Sequence, residues 1–366
     1  MQDGIVASSE SAHISNLIRF ADNPESFDNF NILSRCDVDF LRMYPTIATR
    51  VCRLSIESND SIRGLPLMRN VRSLQWIWEQ ADASRCACTA DLALILRSLP
   101  SIEVADFRVD VAGTMTVHQA FACLSTKLKC LRIGFPSRAP VEVVSEHCPY
   151  LPSLTDLVIH EGQSFDIGAF VAYSVAPGAP NLNSIAFPST VTWDELSVAL
   201  TSAAGRIEYV ILNKFRGMGT HDGRREATLI RLHRITLDVT HAPRNDLGDL
   251  WNEAATFILQ FITRFQPLAL HTVEINILAE DVIRMYEVGG YSWSVFTERQ
   301  GDTHSQEWHE WLTSLLSHLG IFIRLRLNIY TPSVMSDVDT RALSSAKRVA
   351  VEYLGNRRLC IVDISV

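Results

Sequence analysis

The sequence predicts an α/β fold, a right-handed solenoid with a parallel sheet on its concave face and helices on its convex face. Three observations indicate this architecture: an apolar template that recurs, a nearly constant spacing between its copies, and helical signals that alternate with them. The template is apolar-x-x-apolar-x-apolar, whose last two apolar positions lie on one face of a strand. The eleven segments that fit are Val51/Leu54/Ile56, Val71/Leu74/Trp76, Ile102/Ala105/Phe107, Leu128/Leu131/Ile133, Leu154/Leu157/Ile159, Leu182/Ile185/Phe187, Ile207/Val210/Leu212, Leu232/Ile235/Leu237, Leu270/Val273/Ile275, Phe322/Leu325/Leu327 and Leu359/Val362/Ile364.

The spacing between copies is almost constant in the middle of the chain. Five successive intervals between Ile102 and Leu232 are 26, 26, 28, 25 and 25 residues. A fixed period of this size is typical of repeat architectures, in which each repeat packs only on its neighbours. The later intervals lengthen to 38, 52 and 37 residues, and the longest contains an insertion at about 279–303 with a Gly-Gly pair and several aromatic residues. We expect this insertion to shield the core or to contact a partner.

Helical signals fall between the strand templates. Thr89 is a suitable N-cap ahead of an apolar stripe, and Pro100 stops that helix before the next strand. Gly205 is expected to end a later helix in the left-handed conformation that favours glycine. We expect helices at residues 15–21, 37–43, 89–99, 140–147, 193–204, 249–265, 305–318 and 338–354.

Two regions are expected along the chain. Residues 1–50 contain no predicted strand, and we expect them to form a helical cap over the open end of the repeats. Residues 51–366 are expected to form an irregular solenoid that includes the insertion.

Composition argues against several classes of protein. The 366-residue chain is 47% hydrophobic and 20% charged, which is enough apolar surface for an ordered core. A net charge of −8 argues against a nucleic-acid partner, since phosphates need a basic face. The sequence has no apolar run long enough to span a membrane, so no membrane partner is expected. The eight cysteines have no paired spacing, which indicates a reduced intracellular protein, cytoplasmic or nuclear.

The repeat length, the irregular intervals and strand entries such as Leu151-Pro152-Ser153-Leu154 resemble the leucine-rich repeats that follow F-box motifs, in particular the divergent fungal kind. Residues 40–56 are similar to the stretch that joins the F-box to the first repeat in that family. Residues 1–50 lack the family's Leu-Pro-x-Glu-Ile opening and its later Val-Cys-x-x-Trp, so we interpret them as an F-box remnant or a linker. The resemblance implies that the repeats hold a substrate of a cullin-type ubiquitin ligase. An F-box adaptor would bind only if an F-box were supplied.

The residues between the buried template positions are expected to line the concave face and to contact a protein partner. Tyr209, Arg234, Arg324 and Arg326 are the expected anchors, because aromatic and arginine side chains carry most binding energy at interfaces. Replacing Arg324 and Arg326 with glutamate is expected to weaken partner binding and leave thermal unfolding nearly unchanged. The full predicted face consists of Arg132, Asp156, His160, Tyr209, Asn213, Arg234, Asp238, Glu274, Asn276, Arg324 and Arg326.

No motif predicts a catalytic, metal or cofactor site. The Gly- and Arg-rich loop 217–225 has the composition of an anion cradle, yet it lacks the Gly-Lys-Ser/Thr ending of a P-loop. Cys86 and Cys88 are too closely spaced for a zinc pair, and His304 and His309 would point to different faces of a helix. The chain also has no nucleophile elbow.

The sequence therefore favours a non-catalytic protein–protein interaction module, with a role in substrate recognition for a ubiquitin ligase. Two alternatives stay open. One is a hydrolase-like enzyme with its site at the solenoid rim, using His221/Asp222 or His304/His309. The other is a structural repeat array without a partner.

Overall fold

The chain divides into two units, Met1–Asn181 and Leu182–Val366. The structure is a computed structural model. It describes residues 28–32, 35–56, 64–77, 89–108, 122–134, 149–161, 166–215, 218, 226–240, 247–279, 324–330 and 344.

The first unit contains a parallel sheet whose strands pair in chain order. Each strand hydrogen-bonds to the next one along the sequence, with no reversal of direction. Its described strands are β1 (Asn29–Ile32), β2 (Arg53–Ile56), β3 (Ser73–Ile77), β4 (Val104–Arg108), β5 (Cys130–Gly134) and β6 (Asp156–Ile159).

The second unit repeats this arrangement. Its neighbouring strands are again parallel and again follow chain order. They are β7 (Ser184–Phe187), β8 (Tyr209–Leu212), β9 (Arg234–Asp238), β10 (Thr272–Leu278) and β11 (Arg324–Tyr330). The predicted α/β class with parallel strand pairing is confirmed for both units.

The apolar template coincides with the strands. Ten of the eleven predicted segments end in β2 to β11, and the eleventh, Leu359/Val362/Ile364, lies outside the described residues. In β2 to β10 the last two template side chains are at most 2% exposed. The pairing register places them in two continuous rows, for example Val210, Ile235 and Val273 in the second unit. These rows form the part of the core that the strands contribute.

Most strands begin with the same hydrogen-bonding pattern, in which one backbone carbonyl accepts two consecutive N–H groups. The backbone carbonyl of Glu103 accepts N–H groups from both Lys129 and Cys130, at 2.7 and 3.1 Å. In the second unit the carbonyl of Glu208 accepts in the same way from His233 and Arg234, at 2.8 and 3.1 Å. In each case the carbonyl belongs to the residue immediately before the neighbouring strand. The pattern therefore aligns successive strands and satisfies backbone donors at the turn.

β1 was not predicted from the sequence. It pairs in parallel with β2 and buries Phe30 and Ile32 at 5% and 0% exposure. The expectation that residues 1–50 contain no strand is therefore wrong. Phe27, Phe30 and Ile32 fit the same apolar template, but Asn29 and Asn31 stand between them, and asparagine is depleted in strands.

Four predicted helices are present close to their expected bounds, namely those at 37–43, 89–99, 193–204 and 249–265. The expected helices at 15–21, 140–147, 305–318 and 338–354 lie outside the described residues, apart from Ser344. The described helices are α1 (Arg35–Met43), α2 (Pro45–Ala48), α3 (Thr89–Ser98), α4 (Ile167–Ala169), α5 (Trp193–Ser202) and α6 (Leu247–Phe265). A π-helical turn, Phe170–Val175, and a 3-10 turn, Ala176–Gly178, continue from α4.

The ends of α5 differ in how they are capped. At its start, Thr192 Oγ1 accepts the backbone N–H of Glu195 at 3.3 Å, and the N–H of Thr192 donates to Oε2 of Glu195 at 2.9 Å. This capping box satisfies two otherwise unpaired donors. At its end, the predicted left-handed Gly205 is wrong, because Gly64 is the positive-φ glycine of the described residues. The last turn instead tightens through a bond from Ala203 N–H to Leu200 O at 3.2 Å.

Helices α5 and α6 pack through aromatic rings and a buried arginine of α6. The rings of Trp193 and Phe257 stack with centroids 5.0 Å apart. The guanidinium of Arg264 lies 5.0 Å from the centroid of the same Trp193 ring and forms an ion pair with Glu226. Arg264 is only 2% exposed, and this burial lowers the pKa of Arg264, while the charge of Asp194 opposes the shift.

Among the residues that the structure describes, no helix has the length and apolar character needed to cross a bilayer.

Candidate binding face

In each unit, the strand residues between the buried template positions point away from the core side of the sheet. In the second unit they form rows across neighbouring strands. One row contains Tyr209, Arg234, Thr272 and Arg324, and the next contains Ile211, Thr236, Glu274 and Arg326. A third row continues with Asp238, Asn276 and Asn328. We call the residues of these three rows the second-unit face.

Glu274 is the centre of the second-unit face. Its Oε1 accepts a hydrogen bond from Nη1 of Arg326 at 3.2 Å and lies 3.5 Å from Nη1 of Arg234. Its Oε2 accepts from the hydroxyl of Thr236 at 3.3 Å. The residue is 5% exposed, whereas the side chains of both arginines are 39% exposed. A nearly buried carboxylate thus holds two guanidinium groups that remain accessible to solvent.

Arg234 makes a second contact, with Tyr209. The carbon at the centre of its guanidinium lies 5.5 Å from the centroid of the Tyr209 ring, within the range of a cation–π interaction. Within the described part of the chain, its Nε is buried and has no hydrogen-bond partner. Arg234 is therefore oriented by Tyr209 and Glu274 and keeps unused donor capacity.

The third row of the face is polar and internally bonded. The amide of Asn328 donates to Oδ1 of Asn276 at 2.8 Å. Oδ1 of Asp238 accepts from the backbone N–H and the hydroxyl of Thr240, at 3.0 and 2.6 Å. Asn213 follows β8 and donates its backbone N–H to Phe187 O at 2.8 Å.

The first unit has a separate polar cluster that joins β4 to the end of β6. Nη2 of Arg108 donates to Oδ2 of Asp106 at 3.2 Å, and Nε2 of His160 lies 3.3 Å from Oδ1 of Asp106. Burial is the largest influence on Asp106 and by itself raises the pKa of this carboxyl. The hydrogen bond with His160 and the charge and hydrogen bonds of Arg108 outweigh it, so the pKa of Asp106 lies below its usual value.

His160 can use its Nε2 in two ways. The atom lies 3.2 Å from Nε of Arg108 as well as 3.3 Å from Oδ1 of Asp106. An unprotonated Nε2 accepts the N–H of Arg108, and a protonated Nε2 donates to Asp106. Whether Nε2 carries a proton therefore determines which of the two bonds forms.

Arg132 and Asp156 lie on the strands next to this cluster. Among the described residues, no hydrogen bond connects either of them to Asp106, Arg108 or His160. Arg132 is exposed on β5 and is opposite Asp106 in the register. Asp156 accepts the hydroxyl of Thr155 at 2.6 Å. Cys130 lies two residues before Arg132, on the same face of β5. Burial raises the pKa of the Cys130 thiol, and a hydrogen bond with Arg132 opposes that shift.

The predicted face residues therefore fall into two groups. The structure brings together Tyr209, Arg234, Glu274 and Arg326 in the second unit, and it places His160 in the first unit. Four further residues take part in these contacts but were missed at the sequence level. They are Asp106, Arg108, Thr236 and Asn328. Each lies at an intervening strand position, so the period-two alternation that gave the other residues also identifies these four.

The sequence features of the enzymatic alternative lie outside the described residues. This holds for His221, Asp222, His304 and His309, and for the loop 217–225 and the insertion 279–303 except Met218 and Ala279. In the ranges that the structure does describe, no group of three or more His, Cys, Asp or Glu side chains is arranged to hold a metal ion.

A scan against models of protein families finds no match, and a search of curated proteins finds no similar sequence.

Proposed function

We propose that this chain is a non-catalytic protein-binding module that holds its partner on the outward face of its parallel strands. We further propose that the repeats form a right-handed solenoid of the leucine-rich-repeat type, with helices on the convex side. The pairing of strands in chain order within each unit, and the buried template side chains, support this architecture.

The single observation that carries the binding function is the arrangement around Glu274. Two arginines converge on one nearly buried carboxylate while their side chains stay 39% exposed. Arginine and tyrosine are enriched among the residues that dominate binding energy at protein interfaces. A face that only had to be soluble would not need guanidinium groups oriented by a buried carboxylate and an aromatic ring.

We propose a role in presenting a substrate to a cullin-type ubiquitin ligase, in the cytoplasm or nucleus. The support is the resemblance of the repeats to the divergent fungal F-box-associated type. An F-box adaptor belongs to this proposal only where an F-box is supplied to the chain.

Affinity purification from cells that naturally express the chain tests the binding function. The informative variant is Thr272→Trp, because Thr272 stands between Arg234 and Arg324 in the register and a bulky uncharged side chain there blocks the face. The matched control is Thr201→Trp, at an exposed position of α5. We expect one or more proteins to be lost with Thr272→Trp and retained with Thr201→Trp.

The other outcomes separate the alternatives. Recovery of a cullin and its adaptor together with the partner supports the ubiquitin-ligase role, whereas a partner without them supports a simple binding module. If no protein depends on Thr272, the proposed binding function is wrong and a structural repeat array is favoured.

A further inference from the structure

We infer that the second-unit face binds an acidic segment of a protein partner, and that Arg234, Arg324 and Arg326 receive its carboxylates. The inference rests on the proposed function, because it specifies the chemistry of the partner that the strand face holds.

Arginines outnumber carboxylates among the described strand residues in the first two rows of this face. Arg234 and Arg326 share one oxygen of Glu274, at 3.5 and 3.2 Å. Arg324 is exposed on the adjacent row of β11. In these two rows the described strand residues include three arginines and one carboxylate, whereas the whole chain carries a net charge of −8. This part of the second-unit face is therefore expected to attract anionic groups.

The nearest other carboxylate on the described strands of this face does not remove the excess. Asp238 lies one row beyond Thr236 on β9, and its Oδ1 already accepts two hydrogen bonds from Thr240. Asp238 is thus occupied locally and lies on the side of the face away from Arg324.

The arginines are held ready for a ligand. Arg234 packs against the Tyr209 ring, and its Nη1 is drawn to Glu274. Arg326 donates from Nη1 to the same carboxylate, which fixes one nitrogen of the group. A side chain that is already ordered loses less conformational entropy on binding, so these contacts favour an incoming carboxylate.

The spacing favours an extended segment over a single small anion. Arg234 and Arg324 occupy the same row on β9 and β11, with Thr272 of β10 between them. Two strand spacings separate their backbones by about 10 Å, and Arg326 lies in the next row, so the three arginines are distributed over two strands and two rows. Several acidic side chains on one peptide match this distribution. A nucleic acid is disfavoured, because its many phosphates would meet the net negative charge of the rest of the chain.

The test is fluorescence anisotropy with the full chain and a fluorescein-labelled peptide of alternating glutamate and serine, at about 50 mM salt. The matched probe replaces every glutamate with glutamine. We expect the glutamate peptide to bind, the glutamine peptide not to bind, and Arg324→Gln to weaken binding about fivefold. Arg231→Gln makes the same charge change in the exposed turn before β9 and is expected to alter binding less than about twofold.

Two results would overturn the inference. The first is no binding of the glutamate peptide, and the second is equal weakening by Arg324→Gln and Arg231→Gln, which would indicate attraction without a defined site. A single-stranded DNA oligonucleotide that bound more tightly than the peptide, and lost affinity with Arg324→Gln, would also overturn the assignment to a protein segment. If Thr272→Trp still abolishes capture of a cellular partner, the binding function stands although the acidic-segment inference fails. If capture is insensitive as well, both fail.

Discussion

Arg108 and His160 meet across a strand that lies between them. Nε of Arg108 is 3.2 Å from Nε2 of His160, although β5 separates β4 from β6. Arg108 is opposite Gly134 in the register, and His160 follows Ile159, whose partner is Ile133. Because Gly134 has no side chain at this outward position, the two long side chains approach each other over its backbone.

Substitution of Gly134 by leucine should separate Arg108 from His160. We expect the pKa of Asp106 to rise in Gly134→Leu, because the carboxylate stays buried while its hydrogen bond with His160 is lost. Carbon-13 NMR titration of the Asp106 carboxyl measures this change. Gly134→Ala is the control, since it replaces the same glycine but adds only one methyl group. An unchanged Asp106 titration in Gly134→Leu would show that Gly134 does not govern the contact.

The lowered pKa of Asp106 also predicts how stability depends on pH. A carboxylate whose pKa is lower in the folded chain stabilises it above the unfolded pKa of about 3.9, and this contribution is lost as the pH falls through the folded value. We therefore expect the unfolding free energy of the native chain to exceed that of Asp106→Asn at about pH 5. The difference should shrink below about pH 4. Urea denaturation at a series of pH values measures it, and parallel curves throughout would contradict the prediction.

Arg324 and Arg326 should behave differently when replaced by glutamate. The sequence alone predicts that both replacements leave unfolding nearly unchanged, but Arg326 donates to the nearly buried Glu274. Arg326→Glu places a second carboxylate beside Glu274, and we expect it to cost about 2 kcal/mol after allowing for the partial exposure of the pair. Arg324→Glu should cost less than about 0.5 kcal/mol. Equal losses in thermal or urea unfolding would show that Glu274 does not depend on Arg326.

The strand positions could be predicted from the sequence because burial in a strand depends on local alternation. Every template side chain in the last two positions of β2 to β10 is buried as expected. The prediction failed where local signals compete. Asn29 and Asn31 argue against a strand, so β1 was not predicted. Pro177 and Gly178 argue against a helix, yet α4 and the turn that continues it form just before them.

The contacts of the candidate face could be predicted only in part. Aligning the templates already places Glu274 beside Arg326, because Val273 and Leu325 are register partners. The contact from Arg234 is different, since Arg234 lies one row away from Glu274 and reaches it diagonally. That contact depends on a side-chain conformation supported by the Tyr209 ring, which strand periodicity does not encode.

The buried ion pair between Arg264 and Glu226 provides a test of packing in the second unit. Arg264 is 2% exposed, and its guanidinium covers the Trp193 ring at 5.0 Å. Arg264→Met removes the charge but keeps much of the apolar stem, so Glu226 is left without its cation and we expect a loss of about 3 kcal/mol. Glu226→Gln added to Arg264→Met should recover part of this loss, because the leftover charge disappears. The two changes should therefore be non-additive by about 1 kcal/mol or more in a double-mutant cycle of urea unfolding.

The control is Arg231→Met, at an exposed turn, which should change stability by less than about 0.5 kcal/mol. Additive effects would mean that Arg264 stabilises the unit through Trp193 and not through Glu226.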